Sequence, residues 1–211
     1  MRLLPYGDRG LLVEVADIAT VVALTDLVRR HPDAAAVLAD VVPGARTALL
    51  LGRPGIVADR LRAIVPDERQ LDAARRGAAG ESPTRREVVI PVAYDGPDLA
   101  TVARLTGLTE RGVVAAHTGT PWRVAFGGFA PGFAYLSGGD PRLQVPRRDE
   151  PRTSVPAGAV GLAGEFSGVY PRPSPGGWQL IGHTEVVLWD LDRDPPALLA
   201  AGTTVRFEEA R

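Results

Sequence analysis

Apolar positions along the first part of the chain alternate between two periods. Gly10-Leu11-Leu12-Val13-Glu14-Val15 is short, apolar and β-branched, the pattern of a strand, and Ile18, Val21, Val22, Thr25 and Val28 then recur at the spacing of one helix face until His31-Pro32 stops the run. Val37 to Val42 and Thr47 to Leu51 read as strands joined at Pro43-Gly44-Ala45-Arg46, and Val57, Leu61 and Ile64 mark one face of a second helix before Pro66. The order βαββα predicts a small α+β domain with its helices on one face of the sheet. Residues 67 to 86 are polar and small, without periodic apolar positions, and predict a linker between a domain of residues 1–80 and a second of residues 85–211.

Strand character resumes at Glu87 to Tyr94, followed by a turn at Asp95-Gly96-Pro97-Asp98, a helix from Leu99 to Leu105, and another capped by Thr109 that runs to about His117. This helix pair has the outline of a helix-turn-helix about Gly107. Its charges argue against DNA binding, because Arg104 and Arg111 are balanced by Asp98 and Glu110, and Val113, Val114, Ala115 and Ala116 cannot read base edges. A packed helical hairpin is expected instead. Residues 127–182 hold 12 of the 24 glycines and 8 of the 19 prolines, which predicts stiff, tight turns between short strands, as in a barrel or sandwich. Further strands are expected at Trp178 to Ile181, Glu185 to Trp189 and Thr203 to Phe207.

Composition narrows the chemistry mainly by what is missing. All 24 basic residues are arginine, and with no lysine there is neither Schiff-base catalysis nor a lysine-bearing phosphate loop. With no cysteine there is no thiol nucleophile, disulfide or thiolate metal site. The 24 positive and 25 negative side chains carry no overall footprint for nucleic acid or an anionic membrane. His31, His117 and His183 are too scattered to suggest a metal site. The N-terminus lacks a signal-peptide apolar core, and no apolar run approaches the ~18 residues of a membrane span; a cytoplasmic location is expected.

Three features carry candidate chemistry. Arg147, Arg148 and Arg152 share a proline-bounded loop with Asp149 and Glu150: the guanidinium forks suit a carboxylate or phosphate, or they pair with those two acids as a solvated loop. Phe129, Phe133 and Tyr135, around Pro131-Gly132, suit a pocket wall or a barrel core equally. His183, just after a glycine-rich block, is either a satisfied core or surface histidine or, as the best placed of the three histidines, a general base. No self-sufficient catalytic constellation is visible.

Four blocks occur in a specific order: Gly128-Phe129-Ala130-Pro131-Gly132-Phe133-Ala134-Tyr135-Leu136, Pro146-Arg147-Arg148, Val155-Pro156-Ala157-Gly158, and Tyr170-Pro171 with Ser174-Pro175-Gly176-Gly177-Trp178. Together with Tyr6-Gly7-Asp8-Arg9-Gly10 near the start and Leu188-Trp189 near the end, they make the chain resemble the B-type subunits of 5-oxoprolinase. These are also called allophanate hydrolase subunit 1, or Kip-type inhibitors of sensor histidine kinases, and belong to the carboxyltransferase domain, subdomain C and D, type. The resemblance implies an α+β N-terminal domain followed by a mainly β, cyclophilin-like barrel. It further implies a small-molecule substrate and a partner that is the C-type subunit of 5-oxoprolinase or allophanate hydrolase subunit 2, with a further lactamase-like subunit. ATP with Mg2+ would act in the assembled complex and none in the isolated chain. The implied reaction opens the lactam of 5-oxoproline to glutamate, and a related fused domain serves urea carboxylases. On these blocks the expected catalytic residue is His183, and the expected substrate-binding residues are Phe129, Pro131, Phe133, Tyr135, Arg148, Arg152, Pro156 and Gly158, with no metal ligands. The chain departs from the family's usual pattern at Ala159, where a serine is common, at Phe166, where a glutamine is common, and at His183, where an arginine is common.

Overall fold

The computed structural model describes residues 1–77 and 86–210. Contacts gather into two compact units, Met1–Pro83 and Thr84–Arg211. Residues 78–85 of the expected linker lie outside the described residues.

The first unit contains β1 (Arg2–Tyr6), β2 (Gly10–Glu14), α1 (Ile18–Arg30), the single turn α2 (Ala34–Val37), β3 (Leu38–Pro43), β4 (Thr47–Gly52), α3 (Ala58–Arg62) and α4 (Glu68–Gly77). Its antiparallel sheet runs β1-β2-β4-β3. Asp17 starts α1 by accepting from the Thr20 N–H (2.8 Å) and hydroxyl (2.7 Å), and the apolar stripe Ile18, Val21, Leu24 and Val28 is buried. The Pro43 to Arg46 turn closes β3 onto β4 through a Gly44 N–H to Thr47 carbonyl bond of 2.7 Å. The first half of the expected linker is instead helix α4. A reciprocal capping box starts it, since Gln70 N–H donates to the Asp67 carboxylate (2.8 Å) while Asp67 N–H donates to the Gln70 side chain (2.9 Å), and Leu71 is buried.

The second unit contains β5 (Glu87–Val92), α5 (Leu99–Thr106), α6 (Glu110–Gly119), β6 (Trp122–Gly127), β7 (Ala134–Ser137), β8 (Arg152–Val155), β9 (Ala159–Ala163), β10 (Phe166–Val169), β11 (Ser174–Gly176), β12 (Gln179–His183) and β13 (Thr204–Glu209), with a 3-10 turn at Pro141–Leu143. Seven strands form one sheet in the order β12-β9-β10-β7-β6-β13-β5, and β8 pairs with β11 separately. The residues after β5 return to β12 at the opposite edge: Ala93 and His183 exchange backbone bonds of 2.9 Å, and Gly96 and Asp98 donate to the Ile181 and Leu180 carbonyls (3.2 and 2.9 Å). This nearly closes the sheet into a barrel and leaves little unpaired edge. The approach is close enough that a Cβ at Gly96 would collide with the β12 backbone.

Alternation along the strands divides two cores. Val160, Leu162 and Ile181 join Ile90, Val92, Val124 and Leu136 inside the barrel, where Val102 of α5 and Val113 and Ala116 of α6 also pack. Ala159, Ala163 and Leu180 face outward onto Phe133, Val155, Tyr170 and Trp178. β9 is therefore buried on both faces. The helix pair is a packed hairpin: Val113 and Ala116 are core, Val114 is half-buried and Ala115 exposed. Residues 185–189 are not a strand: Val186 is half-buried and Leu188 buried, but the segment is irregular, with the Val186 N–H bonded to Thr184 Oγ1 (3.3 Å) and only a bridge from Trp189 to Ala197.

Candidate functional site

The loop between β6 and β7 is two turns in succession. Ala130 N–H bonds the Gly128 carbonyl (2.8 Å) across Phe129, whose φ is 69°, which is a γ-turn of the rarer positive-φ kind. Phe133 N–H then bonds the Ala130 carbonyl (3.0 Å) across Pro131 and Gly132, with Gly132 at φ 82°, as a type II turn requires. The first turn holds a bulky residue in a conformation that costs ~1–3 kcal/mol, and it leaves the Phe129 side chain 58% exposed. Phe129 meets Phe133 and Tyr170 edge-on, with centroids 5.3 and 6.1 Å apart. Phe133, Tyr135, Tyr170, Trp178, Phe166 and Phe126 continue the network. Pocket wall and barrel core therefore divide by residue: Phe133 is core, Tyr135 is half-buried, and Phe129 and Pro131 are at the surface.

Arg148 and Arg152 come together at Asp98 rather than at Asp149 or Glu150. Arg148 Nη1 and Arg152 Nη2 each donate to Asp98 Oδ1 at 2.9 Å, and the Leu180 N–H donates to Oδ2 at 2.7 Å. The Asp98 side chain is 4% exposed. Burial pushes its carboxyl upward, but the bonds from Arg152 and Leu180 and the charges of Arg152 and Arg148 outweigh this and hold it below the usual carboxylate range. Two guanidiniums against one carboxylate leave one positive charge over, and Arg152 Nη1 is buried with no partner. Asp98 begins α5 by position, yet its side chain caps nothing there. In the sequence it reads as a turn residue; its spacing from the arginines, some fifty residues on, carries no signal.

His183 ends β12, and its Nδ1 donates to Asp95 Oδ1 at 2.8 Å, so the second ring nitrogen is free of the pair. Both side chains are largely exposed, at 47% and 65%. Asp95 is the orienting partner, and nothing in its sequence position distinguishes it from an ordinary turn residue. Leu180 and His183 are three residues apart on β12, ~10 Å at strand rise, so the arginine node and the histidine pair are neighbouring points on one edge and not one contact shell. Pro156 and Gly158 form the turn before β9: Gly158 sits at φ 79°, donates to the Tyr170 carbonyl (2.8 Å) and accepts from Thr184 N–H (2.9 Å), and a Cβ there would strike the Thr184 carbonyl. That turn docks the start of β9 beside the histidine pair.

His117 is fully buried, with Nδ1 2.7 Å from the Tyr94 hydroxyl, Nε2 2.8 Å from Ser167 Oγ, and its ring stacked on Phe207 at 4.2 Å. Burial drives its pKa down to about 3, so it is a neutral core imidazole at working pH. In the first unit a cavity of about 530 Å3 is lined by Met1, Arg2, Glu14, Val15, Ala16 and Arg46, none of them among the expected catalytic or substrate-binding residues. Among the described residues no group of three or more His, Asp or Glu is placed to hold a metal, and no helix is long and apolar enough to cross a membrane.

The second unit is thus a nearly closed sheet packed against a helix pair, with the arginine node and the aromatic cluster on its outer face. The profile of the carboxyltransferase domain, subdomain C and D, matches residues 1–199, and the chain belongs to that family. It is 48% identical to the B-type subunit of 5-oxoprolinase from Escherichia coli O157:H7 over 151 residues, which are 67% of this chain and 69% of that protein. The crystal structure of TTHA0988 is similar at a TM-score of 0.70 and 36% identity over 96% of this chain, which spans 40% of that longer chain. The urea carboxylase of Kluyveromyces lactis shares the fold, at a TM-score of 0.63 and 18% identity, covering 99% of this chain and 22% of that one.

Proposed function

We propose that this chain is a subunit of an ATP-dependent 5-oxoprolinase complex in the cytoplasm, with an active site shared with the C-type subunit of that complex and a further lactamase-like subunit beside it. The observation that carries the reading is the 48% identity to the B-type subunit of a 5-oxoprolinase over 151 residues. The barrel-like sheet also supports a cyclophilin-like second domain.

The reaction adds water across the lactam C–N bond of 5-oxoproline: the carbonyl carbon gains a hydroxyl, the nitrogen takes a proton, and glutamate leaves. Three kinds of group are needed for this: an anchor for the substrate's anionic group, a proton acceptor, and a source of activation. The arginine block supplies the first, with Arg148 and Arg152 retaining one uncancelled charge beside Asp98. His183, steered by Asp95, supplies a ring nitrogen for the second. MgATP would supply the third; among the described residues no group of three or more His, Asp or Glu is placed to hold the ion, and no step is drawn through the nucleotide.

Titration of the purified chain with its co-expressed neighbours tests the reading. The chain alone should show no 5-oxoproline-dependent ATP hydrolysis, and activity should appear as the partners are added, with urea and allophanate assayed in parallel. Turnover by the chain alone would sink the shared-site reading. Activity on urea or allophanate only would move the substrate to those compounds. A second reading, inhibition of a sensor histidine kinase, is favoured by one observation: Phe129, Val187, Trp189 and Leu191 are exposed, at 58, 57, 38 and 80%. Failure to bind the neighbouring subunits at micromolar concentration would move the assignment there.

A further inference from the structure

Among the described residues of the second unit six large apolar side chains are exposed, and four of them, Phe129, Val187, Trp189 and Leu191, come from two adjoining loops. The loops abut: a Cβ at Gly132, in the turn next to Phe129, would fall 2.8 Å from the Trp189 Cβ and 3.3 Å from the Pro171 Cβ. The second loop is a bonded hairpin. Leu198 N–H donates to the Leu188 carbonyl (2.9 Å), Asp190 N–H to the Pro196 carbonyl (3.1 Å) and Arg193 N–H to the Asp190 carbonyl (3.2 Å), which puts Leu191 at the tip. Leu188, between exposed Val187 and Trp189, is buried in the barrel core and roots the arm. Both loops therefore hold apolar groups outward by design of the main chain, Leu191 on a hydrogen-bonded turn and Phe129 at a φ of 69°. The rim beside the tip is acidic. Asp190, Asp192 and Asp194 stand against one cation, Arg193, whose Nη2 turns back to the Val187 carbonyl (3.1 Å) and lies 3.9 Å from Asp190. Asp192 and Asp194 are exposed, and among the described residues no cation pairs with them. A second copy docked face to face would bring the same acids to the same patch, so the charges argue for a different partner.

We propose that this patch is the docking surface for the C-type subunit, which meets it with an apolar segment flanked by arginine or lysine. The inference rests on the 5-oxoprolinase reading for the identity of the partner, and on the patch for its chemistry. Rigid aromatic and aliphatic groups make the dry centre of an interface, and rim charges set its orientation and association rate. This chain spans 40% of TTHA0988, where the same fold shares one polypeptide with a larger remainder; a partner held in trans needs an anchored surface instead. The patch also leads to the histidine pair. The Phe129 ring meets Tyr170, the Tyr170 carbonyl takes the Gly158 N–H (2.8 Å), and the Gly158 carbonyl takes the N–H of Thr184, the neighbour of His183 (2.9 Å). A subunit seated here is therefore coupled through main-chain bonds to the strand end that carries His183.

Calorimetric titration of this chain with the purified C-type subunit, at low and high salt, tests the surface. Leu191→Asp should weaken binding by about ten- to a hundredfold. The double reversal Asp192→Arg with Asp194→Arg should weaken it at low salt and remove most of its salt dependence. Leu105→Asp, at an apolar position 48% exposed on α5, is the control and should bind as wild type does. Circular dichroism checks folding, and at 80% exposure Leu191→Asp should leave the spectrum unchanged. A complex of equal affinity with wild type and Leu191→Asp would overturn the docking surface and leave the 5-oxoprolinase reading standing. Undiminished low-salt binding by the double reversal would overturn the basic character of the partner segment. Wild-type dimers that Leu191→Asp turns into monomers would give the patch to a second copy instead. No complex with wild type at micromolar concentration would overturn the surface and the 5-oxoprolinase reading together.

Discussion

Asp95 and Asp98 lie three residues apart on the same return segment and both reach across to β12, yet they are different kinds of residue. Asp95 meets His183 with both side chains largely in solvent, 65% and 47% exposed. Asp98, 4% exposed, is met by two guanidiniums and a backbone N–H. In water an ion pair is screened and its side chains must be ordered, so an exposed pair is worth ~0–1 kcal/mol. Inside, the same carboxylate cannot lose its partners without leaving charges that water does not reach. Burial therefore makes Asp98 a structural keystone for the arginine loop and leaves Asp95 free to serve chemistry, although the sequence writes both as the acids of one turn.

Asp98→Asn should break this contrast most severely. The substitution leaves Arg148 and Arg152 without a counter-charge, and because these side chains are 35% and 22% exposed the cost falls at the low end of that for a broken buried ion pair, about 3 kcal/mol. Urea unfolding at pH 7 measures it, and a loss below ~1 kcal/mol would show that the node is wetter than its burial implies. The acid limb follows in sign. Because the Asp98 pKa is lower folded than unfolded, its stabilisation is full above the unfolded value, ~3.9, and is lost as pH falls through the folded value. Wild type should therefore lose stability below about pH 4 more steeply than Asp98→Asn.

His117 gives the next largest effect, and one in a different pH window. It is held by Tyr94, the residue immediately before Asp95, so adjacent side chains serve a core imidazole and a surface one. Its folded pKa is about 3 against an unfolded value of 6.5. The unfolded chain therefore binds the extra proton first, and stability present above pH 6.5 is lost progressively as pH falls toward 3. Between pH 7.5 and pH 5 this amounts to about 2 kcal/mol. His117→Gln should cost ~1–3 kcal/mol at pH 7.5, from imperfect bonding to Tyr94 and Ser167, but flatten the slope between pH 5 and 7. An unchanged slope would mean that His117 takes up its proton without opening the core.

How far the sequence can be read follows the same division between local and distant partners. β2, α1 and the β3–β4 hairpin announce themselves, because Leu11, Val13, Ile18, Val21 and Leu24 repeat at the period of the element that buries them. α4 is hidden because Leu71 is its one side chain in the buried core, too little for a periodic signal, although the Asp67 and Gln70 capping box is a readable start signal. β1 is hidden as an edge strand whose ends and Pro5 are exposed. Residues 185–189 have the alternation of a strand, but among the described residues they pair only through the isolated bridge of Trp189 to Ala197. At the site, the loop of Phe129 to Phe133 is legible as turns because Pro131 and Gly132 specify one. The partnership of Asp98 with Arg148 and Arg152 is not, since only the return of the chain onto β12 brings the charges together.

The smallest expected effect on stability belongs to the exposed pair, and it sharpens the comparison because the chemistry should move while the fold does not. His183→Gln keeps a polar side chain at the end of β12, and the exposed pair it breaks is worth no more than ~1 kcal/mol, so urea midpoints should barely shift. If His183 takes the proton, kcat of the assembled complex should fall about 10²- to 10⁴-fold with KM nearly unchanged. The informative companion is His183→Arg. Arginine can keep the pair with Asp95 but cannot accept a proton at working pH, and it is the residue that the family commonly carries here. Loss of turnover in both variants would assign the imidazole a proton-transfer role specific to this chain. Wild-type turnover in His183→Arg, with loss in His183→Gln, would show that the position serves as a cation beside Asp95 and would remove His183 from the catalytic set.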